Sequence, residues 1–181
     1  CQMLYNIFNL RKFDVRLVGN IGKPPLKEKK IKKKTIFVIE ASSYQISYNK
    51  YFKADFAVIL NLNVDHLERH KNVSKYAEAK VKLIRDQEKN KLSLVEKNNV
   101  IINKQIKKQK IKSKIIRLTY NKVDYFKKKI HNKYLLDKNN LKNIHFVYEI
   151  SKIFKISDYI IFKSLNLFRG LKFRNQILVD K

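Results

Sequence analysis

A doubly wound α/β architecture, a mostly parallel sheet flanked by helices, is the fold class this sequence predicts. Three observations predict it. Ile36-Phe37-Val38-Ile39 is an uninterrupted apolar run that ends in Glu40, the pattern of a buried strand closed by a carboxylate. Phe56-Ala57-Val58-Ile59-Leu60-Asn61-Leu62-Asn63 repeats the pattern and runs on into Asp65-His66-Leu67-Glu68-Arg69. Segments with apolar residues at helical spacing alternate with such runs, which is the order that builds a parallel sheet.

Taken along the chain, residues 2–9 read as the tail of an amphipathic helix, and Asp14-Val15-Arg16-Leu17-Val18 as a short strand entering Gly19-Asn20-Ile21-Gly22. The charged stretch from Lys23 to Lys34, with Pro24-Pro25, predicts a connector holding at most a short helical piece. A strand over 36–40, a short crossover around 44–52 and a strand over 56–62 follow. Ser74 is a candidate N-cap for a helix over 75–89. Val100-Ile101-Ile102 and Lys114-Ile115-Ile116-Arg117-Leu118 read as further strands. Leu141 to Phe154 and Ser157 to Phe168 read as helices, and the lysine-rich stretches 104–114 and 127–129 as solvated loops.

Composition bounds the function. The 181 residues are 44% hydrophobic, which suits a globular α/β domain rather than a disordered chain. No apolar run approaches the roughly 18 residues of a membrane span, and the first residues lack the pattern of a secretory leader. The single Cys1 cannot form an internal disulfide, which fits a reducing, cytoplasmic setting. A net charge of +27 invites a nucleic-acid reading. Arginine, the usual reader of bases, is scarce: among 42 basic residues only positions 11, 16, 69, 85, 117, 169 and 174 carry it. The abundance of Lys with Asn, Ile, Tyr and Phe matches codons rich in A and T, so compositional drift accounts for the charge better than a polyanionic partner does.

Several residues could carry chemistry. Ligands of open α/β sheets bind beyond the carboxyl ends of the strands, where Glu40 would be a hard oxygen ligand for a hydrated Mg²⁺, or else a solvent-facing carboxylate. His66, in a polar cluster directly after a strand, is either a metal-site residue or a structural histidine. Lys80 falls near the inward stripe Tyr76, Ala77, Val81 and Ile84 of its helix. Burial there would make its amine nucleophilic and able to take up CO₂ as a carbamate; the alternative is a lysine snorkelling at the edge of the face. Gly19-Asn20-Ile21-Gly22 permits close backbone approach to a ligand or forms an ordinary turn, and Arg174 could clamp a phosphate or be solvated. With only three glycines, no G-x-x-x-x-G-K-[ST] phosphate loop can be written in the chain.

Gly19-Asn20-Ile21-Gly22, Glu40-Ala41-Ser42-Ser43-Tyr44-Gln45, Asn61-Leu62-Asn63-Val64-Asp65-His66-Leu67-Glu68-Arg69 and Tyr76-Ala77-Glu78-Ala79-Lys80 occur in the order and spacing that resemble the central, P-loop NTPase-like domain of the Mur ligases. The Glu-x-Ser-Ser-aromatic-Gln motif resembles the D-glutamate-adding branch. Ligases that add L-alanine, the diamino acid or the dipeptide differ there, as do folylpolyglutamate synthases. The resemblance implies ATP-dependent addition of D-glutamate to UDP-N-acetylmuramoyl-L-alanine through an acyl phosphate, in a cytoplasmic enzyme of peptidoglycan precursor synthesis, expected as a monomer. It also implies that Glu40 holds the magnesium bridging the nucleotide phosphates, that His66 serves a second magnesium, and that Lys80 is a carbamoylated lysine positioning it. Asn20, Ser42, Gln45 and Arg69 would bind the UDP-sugar substrate.

Asn140 and Asn143 match a His-Asn-x-x-Asn nucleotide segment in which Asn139 replaces the His. Arg174 matches the arginine of a Gly-Leu-Pro-His-Arg motif that here reads Gly170-Leu171-Lys172-Phe173-Arg174. The division expected from the resemblance is a central domain over 1–168 and the start of a C-terminal ligase domain over 169–181, with the phosphate loop ahead of Cys1. A stretch so bounded is expected to be inactive alone. The alternatives are another acid–amino-acid ligase of the superfamily and a basic nucleic-acid-binding module.

Overall fold

The computed structural model describes residues 1–62 and 67–171, with Leu67 and Arg69 described at the backbone only. The chain divides into two compact units, Cys1–Glu40 with the chain from Tyr120 onward, and Ala41–Thr119. In the described residues of both, every strand pairing is parallel.

In the first unit, β1 (Val15–Gly19) pairs with β2 (Ile36–Glu40) in a register that runs from Val15 opposite Ile36 to Gly19 opposite Glu40. Their connection is the expected charged loop, with one 3₁₀ turn at Pro25–Lys27. Thr35 donates its hydroxyl to Asp14 at 2.6 Å, and Arg16 pairs with both Asp14 and Glu28. Its described residues also form the helices α1 (Gln2–Leu10), α6 (Val123–Lys129), α7 (Lys138–Ile153) and α8 (Asp158–Asn166). Ile7, Phe8, Val18, Phe126, Ile144 and Ile161 are sealed from solvent in its core, and the Phe8, Phe13 and Phe154 rings pack together. Asp137 caps α7 by accepting the Asn139 and Asn140 amides.

In the second unit, β3 (Phe56–Ile59), β4 (Leu92–Glu96) and β5 (Lys114–Leu118) form a sheet in that order. The helices are α2 (Ser43–Tyr48), α3 (Leu67–His70), α4 (Val73–Arg85) and α5 (Val100–Lys108). Ala57, Ile59, Tyr76, Ala77, Val81, Ile84, Val95 and Ile102 share one buried cluster, so α4 and α5 are held to the sheet by their apolar stripes. Gln87, buried near the starts of β3 and β4, donates to the Ala54 and Leu92 carbonyls and accepts from the Ser93 hydroxyl, which satisfies polar groups that burial would otherwise strand.

Four local expectations change. Val100-Ile101-Ile102 is the first turn of α5, because Asn99 accepts the Ile102 amide and starts a helix where the apolar run alone suggests a strand. That helix takes in Lys104, Lys107 and Lys108, and Lys127–Lys129 close α6, so part of each lysine-rich stretch is helical with its cations toward the carboxyl end. The central strand β4 went unpredicted. Helix α4 is capped by Asn72, not Ser74, and ends at Arg85.

Candidate functional site

The carboxyl ends of β1 and β2 bring two of the sequence-predicted residues together. Gly19 lies opposite Glu40 in the register, and the Asn20 amide donates to the Glu40 carbonyl at 2.9 Å. Gly19 takes φ +102°, and a Cβ there would stand 2.2 Å from the Glu40 carbonyl oxygen; Gly22, at φ +79°, meets the Leu17 carbonyl as closely. The glycines are thus required by the protein's own backbone, whatever ligand comes near. They leave the Asn20 side chain exposed and the Glu40 carboxylate half-exposed beyond the strand ends, where a parallel sheet receives ligands.

The turn after β2 is built from side chains. Ser42 and Gln45 form a reciprocal capping box: the Ser42 hydroxyl accepts the Gln45 amide at 3.2 Å, and the Gln45 side-chain carbonyl accepts the Ser42 amide at 2.9 Å. The Ser42 O–H and the Gln45 side-chain amide group remain as donors in this arrangement. Ser43, buried, places its hydroxyl 3.0 Å from His70 Nε2. Tyr44 stacks on the His70 ring with centroids 5.1 Å apart and an interplanar angle of 2°.

On α4, Tyr76, Ala77, Val81 and Ile84 are buried as the periodicity predicts, while Lys80 is half-buried at the edge of that face with its ammonium 5.1 Å from the Tyr76 ring centroid. Of the two placements open to Lys80, the edge of the face is the one it takes, its long side chain carrying the charge onto an aromatic ring. His70 packs on Tyr76 as well, at 5.2 Å. His70 has no counterpart among the sequence-predicted residues. It stands two residues before the Asn72 cap and packs on Tyr76, the fourth residue after that cap. A hydrophobic staple has this form displaced by one position, so the signal lies in the cap and not in any helical periodicity.

In the unit that holds α7, the Asn140 side chain donates to the Tyr134 carbonyl at 2.8 Å, tying the start of the helix to the 3₁₀ turn Lys133–Leu135. Asn143 lies less than one turn further on, half-buried. His66, Arg174 and the side chain of Arg69 lie outside the described residues. Among the described residues no three His, Cys, Asp or Glu side chains cluster as a metal site, and no helix is long and apolar enough to cross a membrane. A magnesium ion needs no such all-protein cage. It keeps several waters and takes one or two carboxylates with substrate phosphates, and the half-exposed Glu40 carboxylate, a hard oxygen donor at a strand end, fits that demand.

Parallel strands flanked by helices, with a glycine turn and a half-exposed glutamate at the carboxyl ends, define an α/β domain of the class that receives ligands beyond its strand ends. Residues 2–161 match the Mur ligase middle domain, and the chain belongs to that family. It is 28% identical over 193 residues to the UDP-N-acetylmuramoylalanine–D-glutamate ligase of Rickettsia prowazekii, covering 97% of this chain and 43% of that protein. It is 30% identical over 199 residues to the enzyme of that name from Rickettsia bellii, at 97% and 43% coverage. The chain therefore spans less than half the length of these curated relatives.

Among solved structures it is similar to the UDP-N-acetylmuramate:L-alanyl-gamma-D-glutamyl-meso-diaminopimelate ligase of Neisseria meningitides, with a TM-score of 0.69 and 14% identity over 94% of this chain and 62% of that one. It is also similar to MurF of Acinetobacter baumannii, with a TM-score of 0.64 and 13% identity over 94% and 43%. At such identities these two likenesses establish the fold alone.

Proposed function

We propose that this chain carries the middle domain of an ATP-dependent amide ligase that joins D-glutamate to UDP-N-acetylmuramoyl-L-alanine. The observation that carries the reading is the pairing of Asn20 and Glu40 at the carboxyl ends of two parallel strands in a Mur ligase middle domain. The Glu40-Ala41-Ser42-Ser43-Tyr44-Gln45 turn and the names of the curated relatives support the D-glutamate branch.

In the proposed reaction the substrate's terminal carboxylate oxygen attacks the γ-phosphorus of ATP and displaces ADP. The amine of D-glutamate then attacks the acyl phosphate, loses a proton, and the tetrahedral intermediate expels phosphate to leave the amide. Glu40 is assigned to one magnesium, and His66 and Lys80 to a second, with Lys80 as its carbamate. Magnesium would neutralise charge on the phosphates. Asn20, exposed beside Glu40, together with Ser42, Gln45 and Arg69, is assigned to the UDP-sugar substrate. The two donors that the capping box leaves on Ser42 and Gln45 suit the acceptor oxygens of a diphosphate or a sugar. Asn140, Asn143 and Arg174 are assigned to the nucleotide.

The test is phosphate release by the intact protein, which requires ATP and both co-substrates together. Glu40→Gln keeps the shape and removes the charge, and is expected to lower kcat about a hundred-fold or more, the scale for deleting a group that stabilises a transferring phosphoryl. An unchanged rate in Glu40→Gln overturns the assignment. The 181-residue stretch alone, which holds no phosphate loop, is expected to release none.

A further inference from the structure

Within the 41–119 unit a ladder of contacts runs from the turn after β2 to Lys80. The Ser43 hydroxyl is 3.0 Å from His70 Nε2, the Tyr44 ring lies parallel to the imidazole, the imidazole packs at 5.2 Å on Tyr76, and the Lys80 ammonium sits 5.1 Å from the Tyr76 centroid. Each rung is held from outside the ladder. Ser43 is buried in the first turn of α2. His70 is tied to α4 by a tight turn in which Lys71 takes φ +67°, the Asn72 amide donates to the His70 carbonyl at 2.8 Å, and Asn72 caps the helix. Tyr76 is 5% exposed on the buried face of α4, one turn before Lys80.

A lysine side chain is otherwise among the most mobile, with four rotatable bonds and a strongly hydrated head. An ammonium over an aromatic face is restrained only as far as the ring is. The imidazole, oriented by Ser43 and Tyr44, packs on the Tyr76 ring and so bears on the plane over which the ammonium sits.

We infer that His70 is a positioning residue for the Lys80 amine, acting through Tyr76, so that the turn carrying Ser42 and Gln45 and the amine of Lys80 are set by one connected stack. The inference rests on the reading of Lys80 as a working residue of the ligase. It assigns a purpose to a histidine that has no place among the substrate and metal residues proposed above. Ser43 and Tyr44 then have a task distinct from their neighbours in the same turn: Ser42 and Gln45 shape the helix start, whereas Ser43 and Tyr44 grip the ring.

The test is competitive trace acetylation of the intact protein, reading the rate at Lys80 relative to its other lysines by mass spectrometry. His70→Ala is expected to raise Lys80 acetylation about two- to five-fold, the factor corresponding to loss of an exposed cation–π contact, with the other lysines unchanged. Tyr76→Leu is expected to do the same directly. His70→Phe, which keeps a ring between Tyr44 and Tyr76, is expected to fall between His70→Ala and the parent. An unchanged Lys80 rate in His70→Ala, with a raised rate in Tyr76→Leu, overturns the inference. Where His70→Ala loosens the whole unit and all lysines react faster, Ser43→Ala decides, because it removes only the hydroxyl that orients the ring: a raised Lys80 rate sustains the inference and an unchanged one overturns it. Trapping of isotopically labelled CO₂ on Lys80 tests the ligase reading separately. Its absence, beside the expected acetylation pattern, removes the carbamate and leaves the positioning intact.

Discussion

The turns that follow β1 and β2 do similar work by different means. After β1 the backbone dictates the turn: Gly19 and Gly22 hold positive φ angles, and a side chain at either would collide with a carbonyl oxygen at 2.2 Å. After β2 the side chains dictate it, since Ser42 and Gln45 satisfy each other's amides. The first device works without side chains, so Asn20 is exposed and its backbone amide donates to the Glu40 carbonyl. The second consumes acceptors on the very residues assigned to substrate. A motif read as substrate-binding is therefore also a folding motif, and substitutions in it report on both roles at once.

The contrast breaks first at Gly19. Gly19→Ala adds backbone strain to an overlap with main-chain atoms that cannot swing aside, and is expected to cost roughly 3 kcal/mol or more. The urea midpoint of the 181-residue chain measures it, and a loss below that of a single cap would show that the strand end relaxes. Next comes Ser42→Ala, where only one half of a reciprocal cap disappears from an accessible turn. The expected loss is about 1 kcal/mol, read in the same titration. In the intact enzyme Ser42→Ala is also expected to raise KM for the UDP-sugar substrate, a change that a purely structural cap would not produce.

A third case lies at the start of α6, where a buried imidazole fixes a backbone group. The Lys122 amide donates to His145 Nε2 at 3.0 Å, and burial holds the His145 pKa below its ordinary value of 6.5, because the cation is disfavoured there. The unfolded chain therefore binds the proton more readily. His145's contribution to stability is complete above the ordinary value and is lost as pH falls through the folded pKa. Urea midpoints between pH 5 and 8 are expected to rise with pH, and His145→Asn is expected to flatten that rise. The smallest effect belongs to a pair that fixes no backbone at all. Lys53 and Glu88 meet at 3.1 Å with both side chains 57% exposed, and Lys53→Ala is expected to change the midpoint by no more than about 0.5 kcal/mol.

The same contrast explains what was legible in the sequence. Unbroken apolar runs mark β2 and β3, the pair Ile115-Ile116 with Leu118 marks β5, and apolar stripes mark α4 and α7. Strand β4 is not legible because Leu92-Ser93-Leu94-Val95-Glu96 is short and interrupted at its second residue by Ser93, whose buried hydroxyl donates to Gln87. Val100-Ile101-Ile102 misled because the deciding group is the Asn99 side chain outside the run. At the candidate site, the strand-end position of Glu40 and the glycine turn beside it were readable from order and spacing. The edge placement of Lys80 is one of two readings its helical spacing leaves open, whereas His70's role is not readable, since it depends on rings brought together from three helices.

The most direct test of the ligase reading is the identity of the amino acid joined. The intact protein is incubated with ATP, magnesium, UDP-N-acetylmuramoyl-L-alanine and, in separate reactions, D-glutamate, L-glutamate, L-alanine or meso-diaminopimelate, and the nucleotide product is weighed by mass spectrometry. The account predicts a product larger by one glutamyl residue with D-glutamate alone, formed with equal phosphate. A product with any of the others in its place, or none with D-glutamate, contradicts it.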